Sequence, residues 1–556
     1  MKLISLEIGE KFRSLNTGFK IEFHSLTNEG LDEMSKFQPF CFAGLNGSGK
    51  SNVLEALASI FYHLELCVAK FRPQSFEKHF RRDTCTPDAF ELKYLINFNQ
   101  IGEKLHAKIV TISKSTGKEP AMIVEEYGQE DSQIFGIALY PSKNSNETAP
   151  GKIYLPEIVV GYSSGENEIL SLPFIKNRLV HFDEYKEAVI KNLAYNEPET
   201  SLIYIDSEMS QAVLLSILLF ENEDTLRPLE RELQIKGLRS FRMNLNLQKL
   251  YLDKERKNWL PILQQLNTQI DILKNCASSW FVDSEVLWLD FYVDDTLKSV
   301  FRANFKNSFE LFRLFQVLYE LNARIVSDQI KEDVYSSKGY YTDGKLPTGS
   351  PAQNVFHFLD YLILKDVGEK EPIELLLRNF SDGEHQFLHT MGICLMLKDK
   401  SSLLLLDEPE THYNPNWRAK FIDILDESII AGGGSNLLKE ILLTSHSPFI
   451  IADCLPNNVI FFRKDPVTNE STATKASDKG IRTYGSDVNY IMKNLFDTNI
   501  VSSKSSNELS DIIKRGDLEE LQGAIDTFGE SSQKQFLFKK IYELKNFDDD
   551  NPDNKL

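Results

Sequence analysis

The sequence predicts an α/β fold in which a mixed sheet flanked by helices is split by a long, mainly helical α/β insertion. Three observations lead to this. First, the apolar run Phe40–Ala43 feeds a glycine-rich turn, Gly44 to Gly49, and the following stretch places Leu54, Leu57, Phe61 and Leu64 at helical spacing. Second, Leu403–Leu406 is an unbroken run of four leucines that ends in Asp407 and Glu408, the pattern of a parallel strand buried on both faces. Third, these two halves lie far apart in the chain, and what separates them mixes helical and strand patterns without sustained heptads.

Composition agrees with a folded core. The chain has 556 residues, of which 42% are hydrophobic and 26% charged, enough for a large domain with an insertion. Its longest apolar runs fall well short of the roughly 20 residues that span a bilayer, so no membrane segment is expected. The N-terminal MKLISLEIGEKF lacks an apolar signal core, and the expected location is the cytoplasm. The six cysteines are scattered with no CxxC pair, which fits reduced thiols. His385 and His389 stand four apart, but no Glu follows the first, so the metalloprotease helix is not read here. The net charge of −19 excludes a protein that coats nucleic acid over its whole surface, and confines any such contact to a local patch or a partner.

The chemistry-bearing segments follow in chain order. Gly44-Leu45-Asn46-Gly47-Ser48-Gly49-Lys50-Ser51 is a complete GxxxxGK[ST] phosphate loop between a strand and a helix. Its backbone N–H groups and the helix N-terminus favour phosphate. Asn46 to Asn52 therefore line the expected nucleotide seat, with Lys50 reaching the β- and γ-phosphates and Ser51 holding Mg²⁺. Asp407 is the second expected Mg²⁺ residue, and Glu408 the carboxylate that polarises an attacking water.

Asn379-Phe380-Ser381-Asp382-Gly383-Glu384 opens a helix 26 residues (407 − 381) before the acidic pair. Read in this order, FSDGE resembles the ABC signature motif, and the chain is similar to ABC-class ATPases of the RecF and SMC kind. That resemblance implies an ATPase in which Ser381, Gly383 and Glu384 meet the γ-phosphate of ATP held by a second subunit. It also places Asn414, within THYNP, at the family's D-loop Asp position, and makes His446 the switch histidine. Ile4–Leu15 resembles the strand and FRSL turn that open such heads, with Arg13 a candidate near the nucleotide.

One element departs from the family. The strand Glu157–Tyr162 is followed by Ser163-Ser164-Gly165-Glu166-Asn167, with no Q-loop glutamine. Either Glu166 or Asn167 replaces it, or SSGE is only an N-capped helix start. The phosphate loop and the signature are 331 residues apart (381 − 50), so the expected division is an N-terminal lobe 1–170, an arm 171–365 and a C-terminal lobe 366–556. Within the arm, Arg239–Leu247 and Val286–Val293 read as strands. Phe301, Phe305, Phe309, Phe312 and Phe315 read as one helical stripe, taken as arm core with a partner groove as the alternative. Lys331–Gln353 reads as a loop rich in Gly and Pro. The basic, aromatic stretch Lys70–Arg82 is read as a solvated helix face, with nucleic-acid contact the alternative. After His446, a strand at Asn458–Phe462, helices at Asp487–Phe496 and Glu508–Phe528 and a disordered acidic tail at Asp548–Asp550 are expected, with no nuclease domain.

Within the ABC class, the compact arm and the FSDGE and DEPETHYNP strings resemble the PtuA family, ATPase subunits of Septu-type and retron-linked antiphage systems. This implies a homodimer, or a higher even-numbered oligomer, closing around ATP and Mg²⁺, an HNH nuclease partner, and a reverse transcriptase with its RNA–DNA hybrid where a retron is present. A RecF- or SMC-like DNA repair or clamping ATPase is the alternative.

Overall fold

The computed structural model describes the chain except for residues 28–33, 35, 102–103, 128–133, 143–146, 165–168, 192–197, 199, 251–261, 340, 342–344, 348, 351, 369–370, 432–438, 497–502, 530–531 and 550–556. The chain divides into two compact units, Met1–Ser486 and Asp487–Leu556.

The first unit is built on a seven-stranded sheet. In spatial order its strands are Ser471–Lys475, Val459–Lys464, Phe40–Gly44, Lys439–Ser445, Ser402–Asp407, Ile158–Ser163 and Leu202–Tyr204. All neighbours run parallel except the first pair. The central strands are buried along their whole length, which is why they read as continuous apolar runs rather than alternating ones. Leu403 to Leu406 are fully buried, each contributing about 1.5–3 kcal/mol of hydrophobic stabilisation. Register aligns Asp407 with Thr444 on one side and Ser163 on the other, so the carboxyl ends of three strands finish at one level. Ligand sites of open parallel sheets lie beyond these ends. Leu202–Tyr204, inside the stretch expected to be arm, forms the edge strand of this sheet.

A six-stranded antiparallel sheet, Lys2–Ile8 through Ile134–Ile137, shares a hydrophobic core with the phosphate-loop helix Lys50–Val68. Leu6, Leu92, Tyr94 and Val110 from the sheet meet Leu54, Leu57 and Phe61 from the helix in that core. The sheet's other face is covered in part as well, by a small cluster of Met34, Leu95, Ala107 and Ile109, so Tyr94, Leu95 and Ile96 are buried in succession.

A third sheet has five strands in the order Ser279–Asp283, Val286–Tyr292, Ile235–Asn246, Phe356–Lys365, Ile373–Leu376, four from the expected arm and the last from the stretch expected in the C-terminal lobe. Both strands expected there are present, and Phe241 stacks on Phe291 at 4.3 Å across them. Two expectations change. The phenylalanine stripe is not one helix: Asp295–Asn304 ends, and Asn307 caps a new helix, Ser308–Glu320, by accepting from the Glu310 N–H. An N-cap asparagine stops a helical run even where apolar spacing continues through it. Phe301, Phe305, Phe312 and Phe315 are buried in the arm's interior. The expected loop from Lys331 begins as a helix, Asp328–Ser336, capped by Ser327, because Val334 and Tyr335 bury against Phe76 and Leu179. The fold is thus the expected mixed α/β head with an insertion.

The second unit is helical: Val488–Leu495, Ser503–Arg515, Leu518–Thr527 and Ser532–Asp549. Leu509, Leu521 and Leu537 form its core. Gly516, at φ 70°, breaks the single helix expected over Glu508–Phe528. The last helix reaches Asp549, where a disordered tail was expected.

Candidate functional site

The glycines of Gly44–Gly49 are dictated by space as well as by backbone angle. Gly44 has φ 145°, and a Cβ there would lie 2.5 Å from the Phe462 carbonyl oxygen. Gly49 has φ 104°, and a Cβ would approach the Ser14 and Ser471 hydroxyls at 2.8 Å. The turn therefore delivers the helix N-terminus at Lys50 in a geometry that side chains would block. Asn52 fixes that start by donating to Ser14 Oγ at 2.7 Å. Lys50 Nζ donates to the carbonyls of Gly44 (3.0 Å) and Leu45 (3.1 Å), folding back over the turn it follows. Burial lowers the Lys50 ammonium from its ordinary value, with Glu408 and Asp407 opposing. Ser48 Oγ is buried and makes no hydrogen bond, while Leu45, Asn46 and Gly47 face solvent.

The acidic strand end meets this loop directly. Ser51 Oγ donates to Asp407 Oδ1 at 2.8 Å, and Thr444 Oγ1 donates to the same oxygen at 2.6 Å. The Thr444 hydroxyl also accepts from the Glu408 N–H at 2.9 Å, so one side chain sets both acids. Burial raises the Asp407 carboxyl, and the Thr444 and Ser51 hydrogen bonds hold it back. Glu408 sits at φ 48°, a left-handed backbone that a non-glycine residue adopts at a cost of about 1–3 kcal/mol. That bend aims its side chain at His446, whose Nε2 is 3.2 Å from Glu408 Oε1 and 3.0 Å from Lys50 Nζ. The hydrogen bond from His446 lowers the Glu408 carboxyl from its ordinary value. A single ring nitrogen cannot accept from the ammonium and donate to the carboxylate at once. His446 thus stands at a choice between Lys50 and Glu408.

The signature segment forms a second group. Ser381 N-caps the helix Asp382–Met396 in a capping box, its hydroxyl accepting from the Glu384 N–H and the Glu384 carboxylate accepting from the Ser381 N–H at 2.8 Å. Lys365 pairs with the same Glu384 at 2.5 Å. Gly383 allows the turn after Glu408 to pass close: a Cβ would lie 2.7 Å from the His412 carbonyl oxygen. The His412 N–H donates to Gln386 Oε1 at 3.0 Å, tying the signature helix to that turn. Asn414 caps the next helix, Pro415–Ala431, by accepting from the Trp417 N–H. Among the described residues, no hydrogen bond joins Ser381, Gly383 or Glu384 to the phosphate loop.

Arg13 comes just before Ser14, the residue that meets Gly49 and Asn52 at the loop's end. Also left-handed, at φ 54°, it pairs with Glu55 at 2.8 Å, one turn beyond Ser51, and donates to the Lys338 carbonyl at 2.7 Å. Ser164, after the strand Ile158–Ser163, donates its N–H to the Asp407 carbonyl at 3.1 Å, so the chain leaves this strand beside the acids. Glu166 and Asn167 lie outside the described residues. In the basic stretch, Arg72 pairs with Glu77, Lys78 with Glu332 and Arg81 with Asp83, but only Gln74–Glu77 is helical, and Phe76 is buried rather than solvated. His385 and His389 have ring centroids 6.0 Å apart, and burial lowers His389 to about 3. Sequence reasoning missed Thr444, Ser14 and Gln386. Thr444 could have been found as the register partner of an acid at the end of the neighbouring strand.

The donor set fits Mg²⁺ and a polyphosphate. Ser51 and Asp407 offer two hard oxygens side by side, and Mg²⁺ takes one or two such ligands together with substrate phosphates. The orphaned Ser48 hydroxyl and the open turn at Asn46–Gly47 leave polar groups for phosphate oxygens.

Comparison with known proteins places these motifs. Residues 292–452 match a family model described as "AAA domain, putative AbiEii toxin, Type IV TA system", a span that holds Ser381, Asp407, Glu408, Asn414 and His446. A stretch of 182 residues is 24% identical to the Septu protein PtuA of Bacillus thuringiensis, covering 33% of this chain. The match spans 38% of PtuA's length. Among solved structures, the recombination mediator protein RecF, from a structure titled "RecF-ATPrS in RecFOR pathway", aligns over 85% of this chain and 97% of that one at 13% identity. Its TM-score of 0.30 is too low to establish a common fold. No helix among the described residues is long and apolar enough to cross a membrane. On its motifs and their order, the chain resembles ABC-class ATPase heads, PtuA among them.

Proposed function

We propose that the chain binds and hydrolyses ATP between two copies of its head, and that closing and opening of this pair controls a partner nuclease in antiphage defence. The observation that carries the reading is the single hydrogen-bonded group of Lys50, Ser51, Asp407, Thr444, Glu408 and His446 at the ends of three adjacent strands. In it, Lys50 supplies the positive charge for the phosphates. Mg²⁺, held by Ser51 and Asp407, would offset charge on the phosphate oxygens. Glu408, kept ionised by His446, is the acceptor that orients a water and takes its proton. Breaking the His446–Glu408 contact in favour of Lys50 changes the state of the base, so the imidazole is suited to respond to what Lys50 holds.

The separation of Ser381 and Gly383 from the phosphate loop within one chain fits their use on a second subunit's ATP. ATP then belongs to the interface, and losing its γ-phosphate removes contacts that hold the heads together. In this reading residues 1–170 and 366–556 supply the two lobes and 171–365 the arm, with Leu202–Tyr204 added to the head sheet and Ile373–Leu376 to the arm's sheet, and Arg13 and Asn414 lie on the nucleotide side. Resemblance to PtuA suggests an HNH nuclease as partner, and a reverse transcriptase with RNA–DNA hybrid where the genomic neighbourhood encodes a retron. The carboxamide of Glu408→Gln cannot take the proton, so this variant should accumulate as an ATP-bound dimer. Sizing chromatography with ATP and Mg²⁺ that returns only monomer refutes the sandwich. A pull-down of the tagged chain with its genomic neighbours tests the partner, and recovery of no nuclease refutes that part.

A further inference from the structure

The phosphate-loop helix has a second cavity on its flank, away from the nucleotide seat. About 220 Å³ in volume, it lies between that helix, the helix Leu172–Ile190 and the helix Asp328–Ser336. One water needs roughly 10–15 Å³ on this measure, so the space suits a ring-sized molecule. Its walls are aromatic: Tyr62, Phe76, Phe80 and Tyr335, with Phe76 edge-on to Tyr335 at 4.9 Å.

The polar groups facing the cavity are unevenly matched. Lys176 Nζ donates to the Ser337 carbonyl at 2.6 Å, and among the described residues no carboxylate pairs with it. Its charged neighbour is another cation, Lys338, and burial with that repulsion lowers Lys176 to about 8. The Glu55 carboxylate at the cavity is already committed to Arg13. Tyr62 Oη and His79 Nε2 are buried with no hydrogen-bond partner. A buried ammonium without a counter-charge is costly, and so is an orphaned hydroxyl. An anion beside Lys176 supplies the missing counter-charge, and a ring bearing polar edges offers the Tyr62 hydroxyl a partner.

We propose that this cavity is a second ligand site, taking a small anion of the mononucleotide class, a flat base joined to a phosphate. The phosphate pairs with Lys176 and hydrogen-bonds His79, and the base lies among Tyr62, Phe76 and Tyr335, where aromatic faces stack on any base. The strap that closes the cavity, Ser336–Lys338, is held to the head by Arg13 through the Lys338 carbonyl, and the same guanidinium grips Glu55 on the phosphate-loop helix.

The test is calorimetric titration of AMP into the full chain carrying Lys50→Ala, which disables the phosphate loop. AMP should bind in the micromolar to sub-millimolar range, and adding Lys176→Met should weaken it about tenfold or more, the loss of one buried charge-assisted pair. Without ligand, Lys176→Met should raise the melting temperature, because a merely structural lysine would lower it. Should Lys176→Met not fold, Tyr62→Phe removes only the orphaned hydroxyl and should weaken AMP a few-fold. No AMP binding at several millimolar, or binding that neither variant changes, overturns the assignment. Inorganic phosphate binding as tightly as AMP overturns the aromatic half of it.

Discussion

Glu410 offers a sharp test of the electrostatics at the strand ends. It follows the acidic pair by two residues and is buried, with one carboxylate oxygen accepting from Ser445 Oγ and the other, Oε2, making no hydrogen bond. Burial, only partly offset by Ser445, pushes this carboxyl from 4.5 up to about 7. At about 1.36 kcal/mol per pH unit, the rise corresponds to roughly 3 kcal/mol once the group is forced to ionise in the fold. The direction follows from linkage. Below pH 4.5 the carboxyl is protonated in folded and unfolded chains alike and costs nothing. Between 4.5 and about 7 the unfolded chain releases the proton first, so stability falls, and above that range the loss is complete. Glu410→Gln keeps the shape and an acceptor for Ser445 but cannot ionise. Thermal melts of both chains from pH 5 to 8 without nucleotide should show the variant gaining on the wild type as pH rises, with the gap levelling above about pH 7.5. A gap that stays constant, or one that moves in the wild type's favour, would refute the reasoning.

Other expectations follow from the same geometry. Gly44→Ala should abolish nucleotide binding, measured by fluorescent ATP titration, because its Cβ meets the Phe462 carbonyl at 2.5 Å in a backbone that already disfavours side chains. Gly383→Val should leave ATP binding to the phosphate loop within about twofold while preventing ATP-dependent dimers, since it displaces the His412 turn and the signature start without touching Lys50. Thr444→Val should lower the ATPase rate by about tenfold or more while ATP still binds, because it leaves Asp407 and the Glu408 N–H without their shared hydroxyl. Leu405→Ala, in the fully buried strand, should cost about 2–5 kcal/mol and appear as a large drop in melting temperature.

The glycine-rich turn was legible because its constraints are local. Gly44, Gly47 and Gly49 all take positive φ, so the sequence must keep glycine there, and the apolar run before them is buried as expected. Leu403–Leu406 was equally plain, since a strand covered on both faces has no polar position to disguise it. The antiparallel sheet of Lys2–Ile137 was harder to see. Its alternation is diluted by long strands such as Phe90–Ile101, whose register shifts between Ile96 and Asn99. Thr444 escaped because its role depends on register across two strands 37 residues apart, which no local pattern encodes. The phenylalanine stripe misled for the opposite reason: apolar spacing ran on through Asn307, and only the cap decides where the helix restarts. Arg13 was expected near the nucleotide, and its pairing with Glu55 and the Lys338 carbonyl is a tertiary contact across 325 residues that the turn motif cannot reveal.

The central claim is that one ATP is held by two chains, with Lys50 and Glu408 from one and Ser381 and Gly383 from the other. Mixing two inactive variants tests it most directly. Lys50→Ala removes the phosphate-loop cation, and Ser381→Arg blocks the signature, so each homodimer lacks a working site. A mixed dimer would contain one intact composite site, formed by the Ser381→Arg chain's Lys50 and the Lys50→Ala chain's Ser381. The account predicts that ATP hydrolysis, absent from either variant alone, returns on mixing. If the mixture stays as inactive as its parts while dimers demonstrably exchange, the sites are not shared and the sandwich is wrong for this chain.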